Sequence, residues 1–258
     1  MWKKGICVLV IVILVGAFGL DTMKVEAQGG KDKMDRQTVP LPTLQTEFPG
    51  VVFVKGDSAS NQIALTFDDG PDPRFTGQVL EKLEAYNVPA TFFVLGERVT
   101  ANPDLLRRVI DGGHEIGNHT YSHLNLAEAS VAQLEQELTE TGDAVEAITG
   151  YRPSLFRPPY GFITREQVER LASLNYSVIG WDVDPLDWDG TPAAQVAQTV
   201  LQEAGAGSII LLHDGGDVDT ENPEIFSADA LDEIIPALQN QGYTFVTVSE
   251  LLDVSRSE

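Results

Sequence analysis

The sequence has almost no cysteine, little histidine and few basic residues. Its single cysteine is Cys7, inside an apolar N-terminal stretch. The chain beyond it offers no thiol, no disulfide and no cysteine metal ligand, which is consistent with export. Any metal site must therefore be built from His, Asp and Glu. Lysine and arginine number 17 against 39 aspartates and glutamates, for a formal charge of −22 and a pI near 4.3. Phosphate binding needs a basic footprint, so nucleic acid is not an expected partner. A polyanion would also be repelled unless the cleft differs from the surface; the acidity reads as solubility in an exported environment. No apolar run reaches the roughly 20 residues that a bilayer-spanning helix needs. Internal repeats and low-complexity segments are absent.

What is present begins with a short basic start, Trp2-Lys3-Lys4, and an apolar run from Ile6 to Leu20. Val25-Glu26-Ala27 then supplies small or aliphatic residues where a signal peptidase would cut. This order is that of a secretory signal. Residues 1–27 are expected to be removed and the protein to be secreted or cell-wall associated. An uncleaved anchor is the alternative, and only then is a membrane an expected partner. Residues 28–60 hold Gly, Lys, Asp, Gln and several prolines without a sustained period. They read as a linker plus an edge segment, with a candidate strand at Gly50 to Val54.

From residue 61 strands and helices alternate through residue 254. The predicted strands cover 63–67, 90–95, 114–118, a run entered at 155, 177–181, 208–212 and 243–248. The predicted helices cover 76–86, 103–110, 130–148, 164–174, 192–204 and 228–241, and 248–254 closes the chain. Asn102 is a candidate cap, Thr164 to Gln167 forms a capping-box pattern, and Pro236 is a candidate kink. Seven strand–helix units imply parallel pairing and an α/β barrel in one domain, distorted if incomplete. In such barrels the chemistry collects where strands end. Here Asp68-Asp69, His119 and His123, Arg157, Asp182 and Asp184, and His213-Asp214 all follow predicted strands.

Adjacent carboxylates such as Asp68 and Asp69 repel when buried unless a cation or proton intervenes. A metal on one frees the other to act as a base. His119 and His123 lie four apart, a spacing that on a helical turn puts both imidazoles on one side. Two His and one carboxylate leave a divalent metal an open position for water or substrate. His114, at the start of its strand, reads as structural. Arg157 can orient a carboxylate. Prolines donate no N–H, so Tyr160 is the nearest backbone donor to a developing oxyanion after Pro158-Pro159. In Asp184-Pro185-Leu186-Asp187-Trp188 a carboxylate can partner a catalytic His, and Trp188 can wall a sugar or acetyl group. His213 is placed to titrate near neutrality.

Five segments occur in order: Thr66-Phe67-Asp68-Asp69-Gly70, His119-Thr120-Tyr121-Ser122-His123, Arg157-Pro158-Pro159-Tyr160, Asp184-Pro185-Leu186-Asp187-Trp188 and Leu211-Leu212-His213. Together they resemble the polysaccharide deacetylase family, the family-4 carbohydrate esterases. The resemblance implies a distorted (β/α) barrel with fewer than eight repeats, and a divalent metal on Asp69, His119 and His123. That metal is commonly zinc, with cobalt, nickel or manganese also suited. It implies Asp68 as general base with Arg157 as its partner, and His213 as general acid tuned by Asp184. Leu211 and Trp188 would shape the acetyl pocket. Export adds peptidoglycan or a chitin-like N-acetylglucosamine polymer as the expected substrate. An esterase acting on acetylated xylan would use the same residues with a different cleft. A glycosidase on Asp68 or Asp69 would leave the His pair without a role. A carbohydrate-binding pseudoenzyme would have lost a catalytic position, and none is lost.

Overall fold

Strand β2 (Gln62–Asp68) sets the pattern of the whole molecule. Successive side chains of a strand point to opposite faces. Ile63, Leu65 and Phe67 turn outward into a core shared with the helices, while Ala64 belongs to a second cluster inside the sheet. The same alternation carries Thr66 and Asp68 inward. Burying each of these apolar side chains contributes on the order of 1.5–3 kcal/mol.

In a computed structural model, residues 37–257 are described, except 217, 219, 221 and 222. The expected signal at 1–27 and the first part of the expected linker, 28–36, lie outside the described residues. Before β2 come α1 (Leu41–Glu47) and β1 (Val52–Phe53). After it follow α2 (Thr76–Tyr86), β3 (Thr91–Val94), α3 (Gly96–Ala101), α4 (Pro103–Asp111), β4 (Glu115–Asn118), α5 (Val131–Thr149) and β5 (Leu155–Phe156). The chain closes with α6 (Arg165–Ser173), β6 (Ser177–Ile179), α7 (Ala193–Glu203), β7 (Ile209–His213), α8 (Ser227–Asn240), β8 (Thr244–Phe245) and α9 (Val248–Leu252).

All pairings between these strands are parallel. The order is β1-β6-β5-β4-β3-β2-β7, with β8 added to the start of β2. The open edges meet through isolated bridges, Lys55 with Ser208 and Val183 with Ile210. Asp182 locks this closure. Its carboxylate accepts from the Ile209 N–H at 2.8 Å and the Ser208 hydroxyl at 2.9 Å, and pairs with Lys55 at 2.9 Å. The result is a distorted barrel, closed by the chain after β6 rather than by a full eighth strand. Asp182 is spent on that closure.

Several local expectations change. The segment read as linker contains α1, with Leu41 and Leu44 buried and a proline in its first turn. Helix α3 was not expected; Gly96 begins it because a Cβ there would lie 2.4 Å from the Tyr121 ring. Asn102 makes no side-chain cap; its amide donates to the Pro71 and Arg98 carbonyls instead. The capping box at Thr164 and Gln167 is present, with further ones at Ser130 and Thr247. That last cap opens α9 at Val248, and the final strand is only two residues, shorter than the predicted 243–248.

Candidate active site at the C-terminal ends of the strands

Asp68 ends β2 with its side chain inside the barrel. Its Oδ1 accepts from Arg157 Nη1 at 2.7 Å. Arg157 is fully buried, and a buried cation needs every donor matched. Nη1 also reaches Thr66 Oγ1 at 2.8 Å, Nη2 reaches the Gly180 carbonyl at 3.1 Å, and Nε reaches the Ile179 carbonyl at 3.3 Å. The guanidinium carbon lies 4.1 Å from the Phe93 ring centroid, so an aromatic face supports the charge. Burial raises the Asp68 carboxyl above its usual range, and the Arg157 charge opposes that rise.

Asp69 turns away from the strand with a φ of 71°. Its carbonyl is held by Arg98 Nη1 at 2.7 Å. Its Oδ1 lies 3.3 Å from His123 Nε2 and 3.5 Å from His119 Nε2. The three ligand atoms lie within 4.8 Å of one another, and all three residues are buried. His119 Nδ1 is 2.8 Å from the Arg157 carbonyl. A carbonyl can only accept, so Nδ1 carries the proton and the Nε2 lone pair faces Asp69. Burial pushes His119 down to about 3, which keeps it in the neutral form that ligates. His123 Nδ1 meets the Tyr160 hydroxyl at 3.0 Å. Both rings are thus oriented through their second nitrogen, as metal-ligating histidines are. Two imidazoles and one carboxylate fit a divalent cation such as zinc.

The His pair does not lie on a helical turn. The 119–123 segment is a loop, with Thr120 at φ 70° and His123 at φ 61°. Glu137 of α5 holds it, accepting from the Tyr121 and Ser122 N–H groups at 2.7 and 2.8 Å.

Facing this cluster is His213, the last residue of β7. A cavity of about 230 Å³ lies between them. It is lined by the cluster, Asp68, Tyr160, Asp184, Trp188, Leu211 and His213, with Pro158 and Trp181.

A polysaccharide deacetylase family model matches residues 55–179. A peptidoglycan-N-acetylglucosamine deacetylase of Bacillus cereus is 41% identical over 197 residues, covering 76% of this chain and 70% of that one. A peptidoglycan-N-acetylmuramic acid deacetylase of Bacillus subtilis is 40% identical over 92% of this chain, which spans 46% of that longer protein. A crystal structure of a peptidoglycan N-acetylglucosamine deacetylase superimposes with a TM-score of 0.75 at 38% identity, covering 80% of this chain and 94% of that one.

The chain belongs to the polysaccharide deacetylase family.

In this hydrolase of that family the expected site residues line one cavity, except Arg157, which is fully buried and reaches it only through Asp68, and one expected pairing changes. The His213 partner is Asp187, not Asp184. Asp187 is fully buried, with Oδ1 2.8 Å from His213 Nδ1 and Oδ2 accepting from the His213 backbone N–H at 2.7 Å. Ser227 donates to the same Oδ2. Asp184 instead accepts from the Leu186 N–H at 3.0 Å, in an Asx turn. Leu186 takes a φ of 57°, and this left-handed residue swings Asp187 inward. Burial lowers the His213 pKa, but the Asp187 charge and hydrogen bond overcome it, with help from Asp69 and Asp68, and push it up to about 10.

The deacetylase site also depends on residues to which the sequence assigns no role. Arg98 and Glu137 brace the two loops from helices. Asp214 is buried beside the site; its N–H donates to the Asp68 carbonyl at 3.1 Å and its Oδ2 accepts from Thr76 Oγ1 at 2.6 Å. Burial raises its carboxyl to about 7. Gly70 is required beneath it, since a Cβ there would lie 2.2 Å from that oxygen. Trp181 lines the cavity wall. The one available signal was position: Asp214 follows a strand, and Trp181 follows another.

Proposed function

We propose that the protein is an exported, metal-dependent enzyme that removes N-acetyl groups from peptidoglycan or a chitin-like N-acetylglucosamine polymer. The observation that carries the reading is the convergence of Asp68 and His213, register partners on neighbouring strands, on one small cavity that the Asp69–His119–His123 cluster also lines. Those three residues would hold the cation. A bound divalent ion would polarise the acetamide carbonyl and acidify the attacking water.

The residues of the chain do the rest. Asp68 takes a proton from the water whose oxygen adds to the acyl carbon. Arg157 fixes the Asp68 carboxylate through Oδ1, while Oδ2, 3.7 Å from His119 Nε2, faces the cluster. The Tyr160 N–H is the proposed donor to the oxyanion. His213 donates a proton from Nε2 as the C–N bond breaks, and Asp187 stabilises the imidazolium until then. Acetate and a free amine leave. Trp188 and Leu211 wall the acetyl methyl group. Proximity of base, acid and bond makes the step effectively intramolecular.

The test is acetate release from peptidoglycan and from chitin oligosaccharides by residues 28–258, before and after metal stripping, with Asp68→Asn alongside. Release that returns with zinc or cobalt, and is at least about 100-fold lower in Asp68→Asn, is the expected result. No release from either polymer with any metal removes the polysaccharide reading; release from acetylated xylan alone replaces it with an esterase.

A further inference from the structure

Beside the candidate catalytic cavity runs a second one of about 490 Å³. The two share Tyr160 and Trp181 in their walls. The far wall is chain that precedes the barrel. Val39 donates its N–H to the Ile163 carbonyl at 3.0 Å, which straps residues 38–42 against the turn after Tyr160. Arg165 and Glu47 pin the other end of α1, with Nε to Oε2 at 2.6 Å. Gly161 keeps the floor open at a φ of 69°; a Cβ there would lie 3.1 Å from the Trp181 ring.

Two features of this groove point to one occupant. The first is aromatic exposure. Phe162 is 44% exposed and Tyr160 43%, with ring centroids 6.0 Å apart at 36°. Aromatic faces left open to solvent beside a polar site serve as stacking platforms for rings with apolar faces. The second is charge. Every residue lining the groove is uncharged, in a chain of net charge −22. A neutral ring suits it; a basic peptide or a deacetylated, cationic sugar would go where the carboxylates are.

We propose that this groove is a second sugar subsite, which binds the neutral N-acetylhexosamine next to the one that is deacetylated. Phe162 is its specificity-determining residue, and residues 38–42 supply the opposite wall. The inference rests on the proposed deacetylase reading. It places the glycan strand across Tyr160, with the reacting acetamide over the metal cluster and the neighbouring ring against Phe162. The segment before the barrel therefore contributes to glycan recognition.

The experiment measures kcat and KM for chitotetraose in the zinc-loaded protein and in Phe162→Ala and Phe162→Trp, with thermal melting to show that each is folded. A stacked ring is worth about a fivefold to tenfold change in binding. Phe162→Ala is expected to raise KM by that factor with kcat within about twofold, and Phe162→Trp to keep KM near the original value. KM unchanged in Phe162→Ala, or a fall confined to kcat, overturns the subsite while leaving the deacetylase reading standing. No turnover of any glycan by the unaltered protein overturns both. If Phe162→Ala does not fold, Phe162→Trp and Phe162→Leu decide alone: equal KM values for the two contradict the proposal.

Discussion

His114 and His213 sit at opposite ends of the same barrel. His114 precedes β4, at the end where strands begin, and its Nδ1 accepts from the Ala90 N–H at 3.2 Å. Burial alone pushes it down to about 4. His213 closes β7, at the end where strands finish, and Asp187 reverses the same penalty and lifts it to about 10. The carboxylates differ in parallel. Glu115 at the first end accepts from Thr91 Oγ1 at 2.8 Å and the Ser249 N–H at 3.1 Å, and so ties α9 to the sheet. Asp68 and Asp69 at the second end face imidazoles, an arginine and a cavity. Similar residue types are consumed by the fold at one end and aimed at a common space at the other. Residue type alone does not mark a site; what faces the polar atom does.

The largest expected effect breaks the active end. Asp187→Asn removes the charge that holds His213 protonated, so the His213 pKa falls. Loss of general-acid catalysis is expected to lower kcat by about 100-fold or more. The alkaline limb of the kcat–pH profile should move to lower pH by about one to three units, because the acid form is lost sooner as pH rises. A profile with an unmoved alkaline limb would assign the proton to another group.

A smaller effect comes from the brace behind the ligands. Glu137→Ala leaves the Tyr121 and Ser122 N–H groups without their carboxylate and releases the loop between the two histidines. Zinc affinity, measured by competition with a chromogenic chelator, should fall about 10- to 100-fold while the protein stays folded. Unchanged affinity would show that the loop holds its two left-handed residues unaided.

The smallest effect is on the other end and touches stability alone. The folded pKa of His114, about 4, lies below the ordinary value of 6.5. Its contribution is present above pH 6.5 and is lost as pH falls toward 4, since the unfolded chain then binds the extra proton. Between pH 7 and pH 5 this amounts to about 2 kcal/mol. His114→Gln should flatten the pH dependence of the urea midpoint by that amount and leave kcat at pH 7 within about twofold. An unflattened dependence would mean that His114 is not neutral in the fold.

Much of this architecture is legible in the sequence because two simple periods generate it. The inward set Ala64, Thr66, Asp68 follows from alternation along β2, and polar residues at strand ends pick out the candidate site. Where the structure departs from expectation, the cause is backbone conformation or long-range contact. Leu186 takes a left-handed φ that nothing in its side chain announces, and that single residue decides between Asp184 and Asp187. The His119–His123 spacing suggests a helical turn, yet a loop held by Glu137, distant in sequence, brings the rings together. Helix α1 had a readable signal in Pro42 with Leu41 and Leu44, hidden by the turn-rich composition around it.

The central claim is that only one end of the barrel holds a catalytic metal. Its most direct test is calorimetric titration of zinc into the chelator-stripped protein, beside His119→Ala and His114→Gln. One zinc per chain, lost in His119→Ala and retained in His114→Gln, is the predicted result. Stoichiometric zinc binding that survives His119→Ala, or that disappears with His114→Gln in a folded protein, would contradict it.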